Sequence, residues 1–173
     1  PAKANFKNNK SALEHWEFVD EAVSELLKTG AVQPSTDPRV ISPLSVDVKK
    51  SSSGKKRLCF DLRYLNSHVS VEKKSFESLQ KAKCVIEPGE KMFKLDLKSG
   101  YHHIAVHEGH FKYLAFSWRG KTYEYRVLPF GLNVAPFIFV KVTKQLVQKW
   151  RTEGIKVIVH FLDDFIFGLG NHK

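Results

Sequence analysis

Residues 160–168 read HFLDDFIFG and place two adjacent carboxylates, Asp163 and Asp164, between two apolar runs. The runs, residues 155–161 and 165–169, are short and rich in Val, Ile and Phe, which is typical of β-strands. Asp favours turns over the interior of a strand. The sequence therefore predicts a β-hairpin with both carboxylates at its tip.

The paired carboxylates allow two interpretations. Adjacent carboxylates repel each other unless a cation neutralises them, and hard oxygen ligands suit Mg²⁺. An Asp-Asp pair at a hairpin tip is also commonly a solvated turn and nothing more. A third carboxylate, Asp96, favours the metal site, because it ends another apolar-leaning run just before Ser99 and Gly100. Two strands that deliver carboxylates to one sheet edge would build a two-metal site for phosphoryl transfer.

The composition favours a protein that binds nucleic acid. The chain has 173 residues, about the length of one domain, and 42% of them are hydrophobic, which is enough for a core. Its net charge of +10 implies a polyanionic partner, with nucleic acid first and an anionic membrane second. A basic surface without a specific partner is the plain alternative.

Cysteine usage and hydropathy bear on location. Cys59 and Cys84 show neither metal-ligand spacing nor a disulfide framework, which suits a reducing compartment inside the cell, cytoplasm or nucleus. No apolar run reaches membrane-spanning length, so no membrane partner is expected. The chain lacks a starting Met and stops at Lys173, which indicates a piece of a longer protein.

Local patterns predict the other elements. Residues 11–28 predict a helix in which Ser11 and Glu14 form a capping box and after which Gly30 acts as the C-cap. The apolar stripe of that helix contains Leu13, Trp16, Val23, Leu26 and Leu27. The remaining elements are helices over residues 71–83 and 136–150 and strands over residues 44–49, 56–62, 111–118 and 121–127.

The turn between the strands at residues 44–49 and 56–62 is basic. It carries Lys49, Lys50, Lys55, Lys56 and Arg57 on it or beside it. Such a turn could bind phosphate groups, although a lone basic turn is more often a solvated element that protects a sheet edge.

Four motifs, in order along the chain, resemble those of reverse transcriptases from gypsy-like or DIRS-like retrotransposons. RLCFDLRYLN at residues 57–66 resembles the fingers strand, and FKLDLKSGYHHI at residues 93–104 resembles the first catalytic motif. LPFGLNVAP at residues 128–136 resembles the second palm motif, and FLDD at residues 161–164 resembles the aromatic-x-Asp-Asp signature. One motif would be weak, but an ordered set of four is specific.

The resemblance implies an α+β fold, the fingers and palm of a right-hand polymerase, with an antiparallel palm sheet packed on helices. It implies a single fragment, with fingers over about residues 1–70 and 104–127 and palm over about residues 71–103 and 128–173. A thumb and an RNase H domain are expected to be absent from the chain. The isolated fragment is expected to be weakly active or inactive, and its truncated palm edge is expected to favour self-association.

The implied activity is that of an RNA-directed DNA polymerase, which extends a primer on an RNA or DNA template by two-metal transfer of nucleotides from dNTP. One alternative is a domesticated or truncated nucleic-acid-binding module without polymerase activity. Another is a different template-copying enzyme, such as an intron-encoded or telomeric reverse transcriptase, but the compact spacing between motifs favours the retroelement.

The resemblance also implies the site residues. The catalytic residues and ligands of Mg²⁺, for which Mn²⁺ is a substitute, are Asp96, Asp163 and Asp164, the last in a supporting role. The nucleotide-binding residues are Arg57, Lys50, Tyr101, Phe130 and Gly131. The residues that bind nucleic acid are Lys49, Lys55, Lys56, Lys73 and Lys74.

Two assignments have plain alternatives. Tyr101, five residues after Asp96, is expected from the resemblance to lie beneath the sugar and exclude a 2′-hydroxyl, and the plain alternative is a buried aromatic residue with a satisfied hydroxyl. His103 and His107 have a spacing that could suit zinc on a helix, but no third ligand with clear spacing follows.

Overall fold

The computed structural model describes residues 1–49, 54–71, 86–162 and 164–169. The chain divides into two compact units. The first comprises Pro1–Ser70 and Tyr101–Ala135, and the second comprises Val71–Gly100 and Pro136–Lys173. The helix predicted over residues 71–83 lies almost entirely outside the described residues.

Ten strands and four α-helices are present in the described part of the chain. The strands are β1 (Ala4–Asn5), β2 (Val32–Pro34), β3 (Val40–Ile41), β4 (Leu44–Val48), β5 (Lys56–Phe60), β6 (Lys91–Asp96), β7 (Ala115–Trp118), β8 (Lys121–Tyr125), β9 (Lys156–Phe161) and β10 (Asp164–Leu169). The helices are α1 (Lys10–Glu14), α2 (Trp16–Lys28), α3 (Arg63–Asn66) and α4 (Ala135–Thr152), and 3₁₀ helices cover Gly100–His103 and Glu108–Tyr113. Within the described residues, no helix combines the length and apolar character needed to cross a membrane.

The N-terminal helix differs from its prediction. It is broken at His15 into α1 and α2, and the capping box is wrong, because Asn9 is the N-cap of α1. The hydroxyl of Ser11 instead accepts a hydrogen bond from the backbone N–H of Val46 at 3.1 Å. Gly30 ends α2 as predicted, with a φ of 72°.

The predicted apolar stripe of that helix is correct only in part. Leu13 and Trp16 are 58% and 48% exposed, whereas Val19 and Val23 are buried. The break at His15 rotates the two short helices relative to a single continuous helix, so a stripe counted through the break points to the wrong side.

A five-stranded mixed sheet organises the first unit, with strand order β1-β3-β7-β8-β2. β7 and β8 form a hairpin, whose turn residues Arg119 and Gly120 both have positive φ, as a tight two-residue hairpin turn requires. The strand predicted over residues 111–118 is wrong in its first part, because the chain is a 3₁₀ helix up to Tyr113 and β7 begins only at Ala115. β4 and β5 pair separately as an antiparallel hairpin. Buried side chains from both sheets and from α2 share one core, which includes Val19, Leu44, Phe60, Phe116 and Tyr125.

The second unit contains a three-stranded antiparallel sheet, with order β6-β10-β9, and most of α4. Phe165 and Phe167 on the central strand are buried, and both lie edge-on to the ring of Trp150 on α4, with centroids 5.5 and 5.3 Å away. Val147, one turn before Trp150, belongs to the same cluster. The antiparallel sheet packed on a helix is therefore the arrangement that the resemblance implied.

Candidate active site

The predicted hairpin of carboxylates is formed by β9 and β10. Asp164 is the first residue of β10, and Leu162 at the turn has a φ of 54°. Asp163 lies outside the described residues. The turn between β9 and β10 therefore places Asp164 at one end of the three-stranded sheet.

The register between β6 and β10 brings two of the three predicted carboxylates together. Asp96, the last residue of β6, lies directly opposite Asp164. Side chains of directly opposite residues in an antiparallel pair leave the same face, with Cβ atoms about 4.5–5.5 Å apart. Two carboxylates from different strands thus share one sheet edge, as the sequence predicted.

A lysine that the sequence interpretation missed belongs to the same edge. Nζ of Lys94 lies 2.7 Å from Oδ1 of Asp164. Lys94 precedes Asp96 by two residues on β6, so both side chains lie on one face of the strand. That period-two spacing was visible in the sequence, but the cross-strand partner was not.

A buried hydrogen bond joins the carboxylate hairpin to α4 close to the hairpin's turn. Nε2 of His160 on β9 lies 2.7 Å from Oγ1 of Thr143, and both side chains are buried. The Thr143 hydroxyl also lies 2.9 Å from the carbonyl oxygen of Phe139, one turn earlier. The His160 ring stacks on Phe165 of β10, with centroids 4.9 Å apart. Helix α4 is thereby bonded to one strand of the hairpin and packed against the other.

The donor set suits a hard divalent cation. Asp96 and Asp164 offer carboxylate oxygens from adjacent strands, which are the ligands that Mg²⁺ prefers. Within the described residues, no cluster of three or more His, Cys, Asp or Glu side chains could hold a metal, and Asp163 is not among those residues. The zinc alternative gains no support, because Nδ1 of His107 accepts a hydrogen bond from the backbone N–H of Gly109 at 3.2 Å.

The predicted nucleotide-binding residues Tyr101, Phe130 and Gly131 belong to the first unit. The rings of Tyr101 and Phe130 are in contact, with centroids 4.8 Å apart, and Phe130 is 49% exposed. The His102 ring lies edge-on to Phe130, with the two centroids 5.4 Å apart. Burial lowers the pKa of His102 below its ordinary value, and the nearby charge of His103 lowers it further.

Gly131 occupies a bend that only glycine fits. Its φ is 98°, and a Cβ there would lie 2.8 Å from the carbonyl oxygen of Phe60. Asn66 holds this bend from two sides: its Nδ2 donates to the carbonyl oxygen of Gly131, and its Oδ1 accepts from the N–H of Asn133, both at 2.9 Å. The sequence interpretation missed Asn66, because nothing local marks an Asn that bonds to a loop 65 positions away.

The basic hairpin forms as predicted from β4 and β5. The register sets Arg57 opposite Asp47, and the N–H of Lys49 donates to the carbonyl oxygen of Lys55 at 3.1 Å, which closes the loop. Lys49, Lys55, Lys56 and Arg57 are all exposed. Lys50, Lys73 and Lys74 lie outside the described residues.

A family model described as "Reverse transcriptase (RNA-dependent DNA polymerase)" matches residues 27–173. The chain belongs to this family. It is 33% identical over 154 residues to the retrovirus-related Pol polyprotein from transposon gypsy of Drosophila melanogaster, with 87% of this chain and 14% of that one covered. It is 34% identical over 137 residues to the corresponding polyprotein from transposon 412 of the same fly, with 77% and 11% covered. The chain thus spans only a small part of these Pol polyproteins.

Solved structures of reverse transcriptases share the fold. The foamy viral protease-reverse transcriptase in complex with dsDNA matches with a TM-score of 0.77 and 22% identity, over 98% of this chain and 34% of that one. The same viral protein in complex with an RNA/DNA hybrid matches with a TM-score of 0.76 and 20% identity, over 99% and 22%. The predicted resemblance to retrotransposon reverse transcriptases and the predicted fold class are both confirmed.

Proposed function

We propose that the chain is the fingers and palm of an RNA-directed DNA polymerase, which extends a primer on an RNA or DNA template. The observation that carries the proposal is the register that sets Asp96 opposite Asp164 at one sheet edge. Two carboxylates side by side are unfavourable without a cation, and a chain of net charge +10 suits a nucleic-acid substrate. In this proposal the fingers comprise about residues 1–70 and 104–127, and the palm comprises about residues 71–103 and 128–173.

The carboxylates have distinct roles in the proposed reaction. Asp96, Asp163 and Asp164 would hold Mg²⁺, or Mn²⁺ as a substitute, with Asp164 in a supporting role opposite Asp96. When bound, the metal ions would favour the deprotonated primer 3′-oxygen and stabilise the leaving pyrophosphate. The hydrogen bond between His160 and Thr143 fixes the hairpin that bears Asp164, so the position of the carboxylate is set by α4 as well as by the sheet.

The incoming dNTP would be held by groups of the first unit. The exposed guanidinium of Arg57, together with Lys50, would bind the triphosphate, because a planar guanidinium makes paired hydrogen bonds to phosphate oxygens. The Tyr101 ring, packed on Phe130, would lie beneath the sugar and exclude a 2′-hydroxyl. The backbone bend at Gly131 would allow close approach to the nucleotide.

Primer-template would be the macromolecular partner. Lys49, Lys55 and Lys56 are exposed at the ends of β4 and β5, and Lys73 and Lys74 would extend the basic surface. The foamy viral relatives were solved with dsDNA and with an RNA/DNA hybrid, which supports the same two duplex types for this chain. The proposed function places the protein inside the cell, in the cytoplasm or the nucleus.

Self-association is a further part of this proposal. All six residues of the edge strand β6 are exposed, and they include Met92 at 49%, Phe93 at 46% and Leu95 at 40%. An exposed, apolar edge strand invites pairing with another chain. Light scattering over a concentration series tests this, since Met92→Lys should lower the mean mass if β6 is the contact.

Primer extension tests the proposed function. Asp96→Asn should reduce the extension rate on the order of a thousandfold, because it removes an anionic metal ligand. The matched control is Asp37→Asn, which changes an exposed carboxylate of the first unit and should leave the rate unchanged. The chain spans a small part of its relatives, so the assay needs the longest natural protein that contains it, and residues 1–173 alone should copy weakly or not at all.

The contrary outcomes are distinct. Full activity of Asp96→Asn would contradict the assignment of Asp96 as a metal ligand. Tight primer-template binding by the longest protein without any extension would instead favour a nucleic-acid-binding module.

A further inference from the structure

Lys94 neutralises one of the two carboxylates that the β6–β10 register sets side by side. Its Nζ lies 2.7 Å from Oδ1 of Asp164. Lys94 pairs in register with Ile166, which makes Asp164 its diagonal neighbour. Lys94 and Asp96 also leave the same face of β6, since residues two apart on a strand share a face. The ammonium group therefore lies on the face that bears both carboxylates.

The charge of this face explains why a lysine is favourable there. Asp96 and Asp164 are like charges directly opposite each other, an arrangement that destabilises a strand pair. One ammonium group bonded to Asp164 removes part of that repulsion without any metal. The sheet edge can therefore form in the metal-free protein with less repulsion than the two carboxylates alone would produce.

The ion pair is short but accessible. The Lys94 side chain is 60% exposed and that of Asp164 is 44% exposed. Water and salt weaken such a pair, and its contribution to stability is small. An ammonium group held in this way can be exchanged for another cation, whereas a fully buried pair could not be.

We propose that Lys94 is the counter-ion of this carboxylate pair in the metal-free protein and competes with the divalent cation for Asp164. The inference rests on the proposed function, because it takes the carboxylates to be metal ligands. Lys94 is a positioning residue, since it acts through Asp164 and not on the substrate. Because of this competition, Lys94 raises the metal concentration that is needed to occupy the carboxylate site.

Direct titration with Mn²⁺ tests the competition, with the free ion followed by electron paramagnetic resonance and no nucleotide present. Lys94→Met should tighten Mn²⁺ binding about fivefold, because the competing cation is removed. Lys94→Arg should stay close to the unsubstituted protein, since guanidinium keeps the ion pair. The matched control is Lys91→Met, which removes the same charge from the other end of β6 and should leave the affinity unchanged.

A second comparison distinguishes the effect of the ion pair with Asp164 from the long-range electrostatic effect of the Lys94 charge. In an Asp164→Asn background, the ion pair between Lys94 and Asp164 is removed, so Lys94→Met should change Mn²⁺ affinity less than about twofold. An equal gain in both backgrounds would show that Lys94 acts only through its charge and would overturn the proposal. Unchanged or weaker binding by Lys94→Met in the unsubstituted background would overturn it too.

Thermal stability gives a readout that a merely structural lysine would not reproduce. In EDTA, Lys94→Met should melt at a lower temperature than the unsubstituted protein, because the carboxylates repel each other. With saturating Mn²⁺ the difference should disappear, since the metal replaces the ammonium group. An equal decrease in both conditions would assign Lys94 a structural role only. Failure of the unsubstituted protein to bind Mn²⁺ at all would instead contradict the proposed function.

Discussion

Asp96 and Asp164, separated along the chain by β7, β8, α4 and β9, face each other across the β6–β10 strand pair. A shift of one residue in that register would move Asp96 to the opposite face of the sheet. The register is stabilised by apolar packing between the same two strands, where Phe93 stacks on Phe167 at 4.7 Å. The position of the proposed metal site is therefore a consequence of how the second unit packs.

The contact between Tyr101 and Phe130 predicts that substitutions of these two residues weaken sugar discrimination to different extents. Tyr101→Ala should raise ribonucleotide incorporation relative to deoxyribonucleotide, and Phe130→Leu should do so more weakly, because it removes the ring on which Tyr101 packs. The measurement is the ratio of kcat/KM for the two nucleotides. Tyr64→Ala is the control, since Tyr64 also makes ring contacts in the first unit, with Phe6 at 5.2 Å. Unchanged discrimination in Tyr101→Ala would make Tyr101 a packing residue.

The bend at Gly131 predicts a larger destabilisation on substitution than positive φ alone produces. Gly131→Ala should lower the free energy of unfolding by more than Gly120→Ala, which should cost about 1 kcal/mol. Both glycines have positive φ, but a Cβ at Gly120 meets nothing within 4 Å, whereas one at Gly131 meets the Phe60 carbonyl oxygen. Urea unfolding measures the difference. Equal effects would show that the close approach to Phe60 is relieved at no cost.

The buried bond between His160 and Thr143 predicts a decrease in stability without a change of shape. Thr143→Val keeps the volume of the side chain and removes the hydroxyl, so the free energy of unfolding should fall by about 1–3 kcal/mol. Thr152→Val, near the exposed end of the same helix, should change it by less than about 0.5 kcal/mol. Denaturant unfolding decides this, and a neutral Thr143→Val would mean that the bond does not hold the hairpin.

Tyr125 predicts a specific response to alkaline pH. Burial raises the pKa of its hydroxyl above the ordinary value of 10.0, so the folded protein keeps the neutral form. The contribution of Tyr125 to the free energy of unfolding is present in full below pH 10.0. It falls as the pH rises above 10.0, because the unfolded chain releases the tyrosine proton in that range while the folded protein keeps it. Tyr125→Phe should make the fall above about pH 10 shallower, by up to about 1.4 kcal/mol per pH unit. Unfolding curves from about pH 9 to about pH 11.5 measure this, and an unchanged slope would contradict it.

The basic hairpin predicts a salt-dependent contribution to nucleic-acid binding. Replacing Lys49, Lys55 and Lys56 together by Gln should weaken primer-template binding and make log affinity depend less steeply on log salt. The slope should change by up to about 0.9 for each phosphate that the protein no longer neutralises. The control replaces three exposed lysines of α4, Lys141, Lys144 and Lys149. Fluorescence anisotropy over a salt series measures both slopes, and a larger effect in the control would place the nucleic acid on α4 instead.

The sequence by itself determined the local elements and the chemical class. Strand-forming runs around Asp163 and Asp164 predicted the β9–β10 hairpin, and Pro136 near the start of an amphipathic segment predicted α4. These patterns depend on neighbours a few residues apart, so tertiary contacts did not have to be known. The ordered motifs likewise indicated the reverse transcriptase family, to which the chain belongs.

Only the tertiary structure decided which distant groups meet. The partners of Lys94 and Asn66 lie on other elements, and no local spacing reveals a bond that depends on register or on loop packing. Ser11 shows that a distant contact can also override a local pattern. Its sequence predicted a capping box, but its hydroxyl instead accepts a hydrogen bond from the backbone N–H of Val46. Backbone N–H groups and side-chain hydroxyls bond to whichever partner packing brings within about 3 Å, and packing is a property of the whole chain.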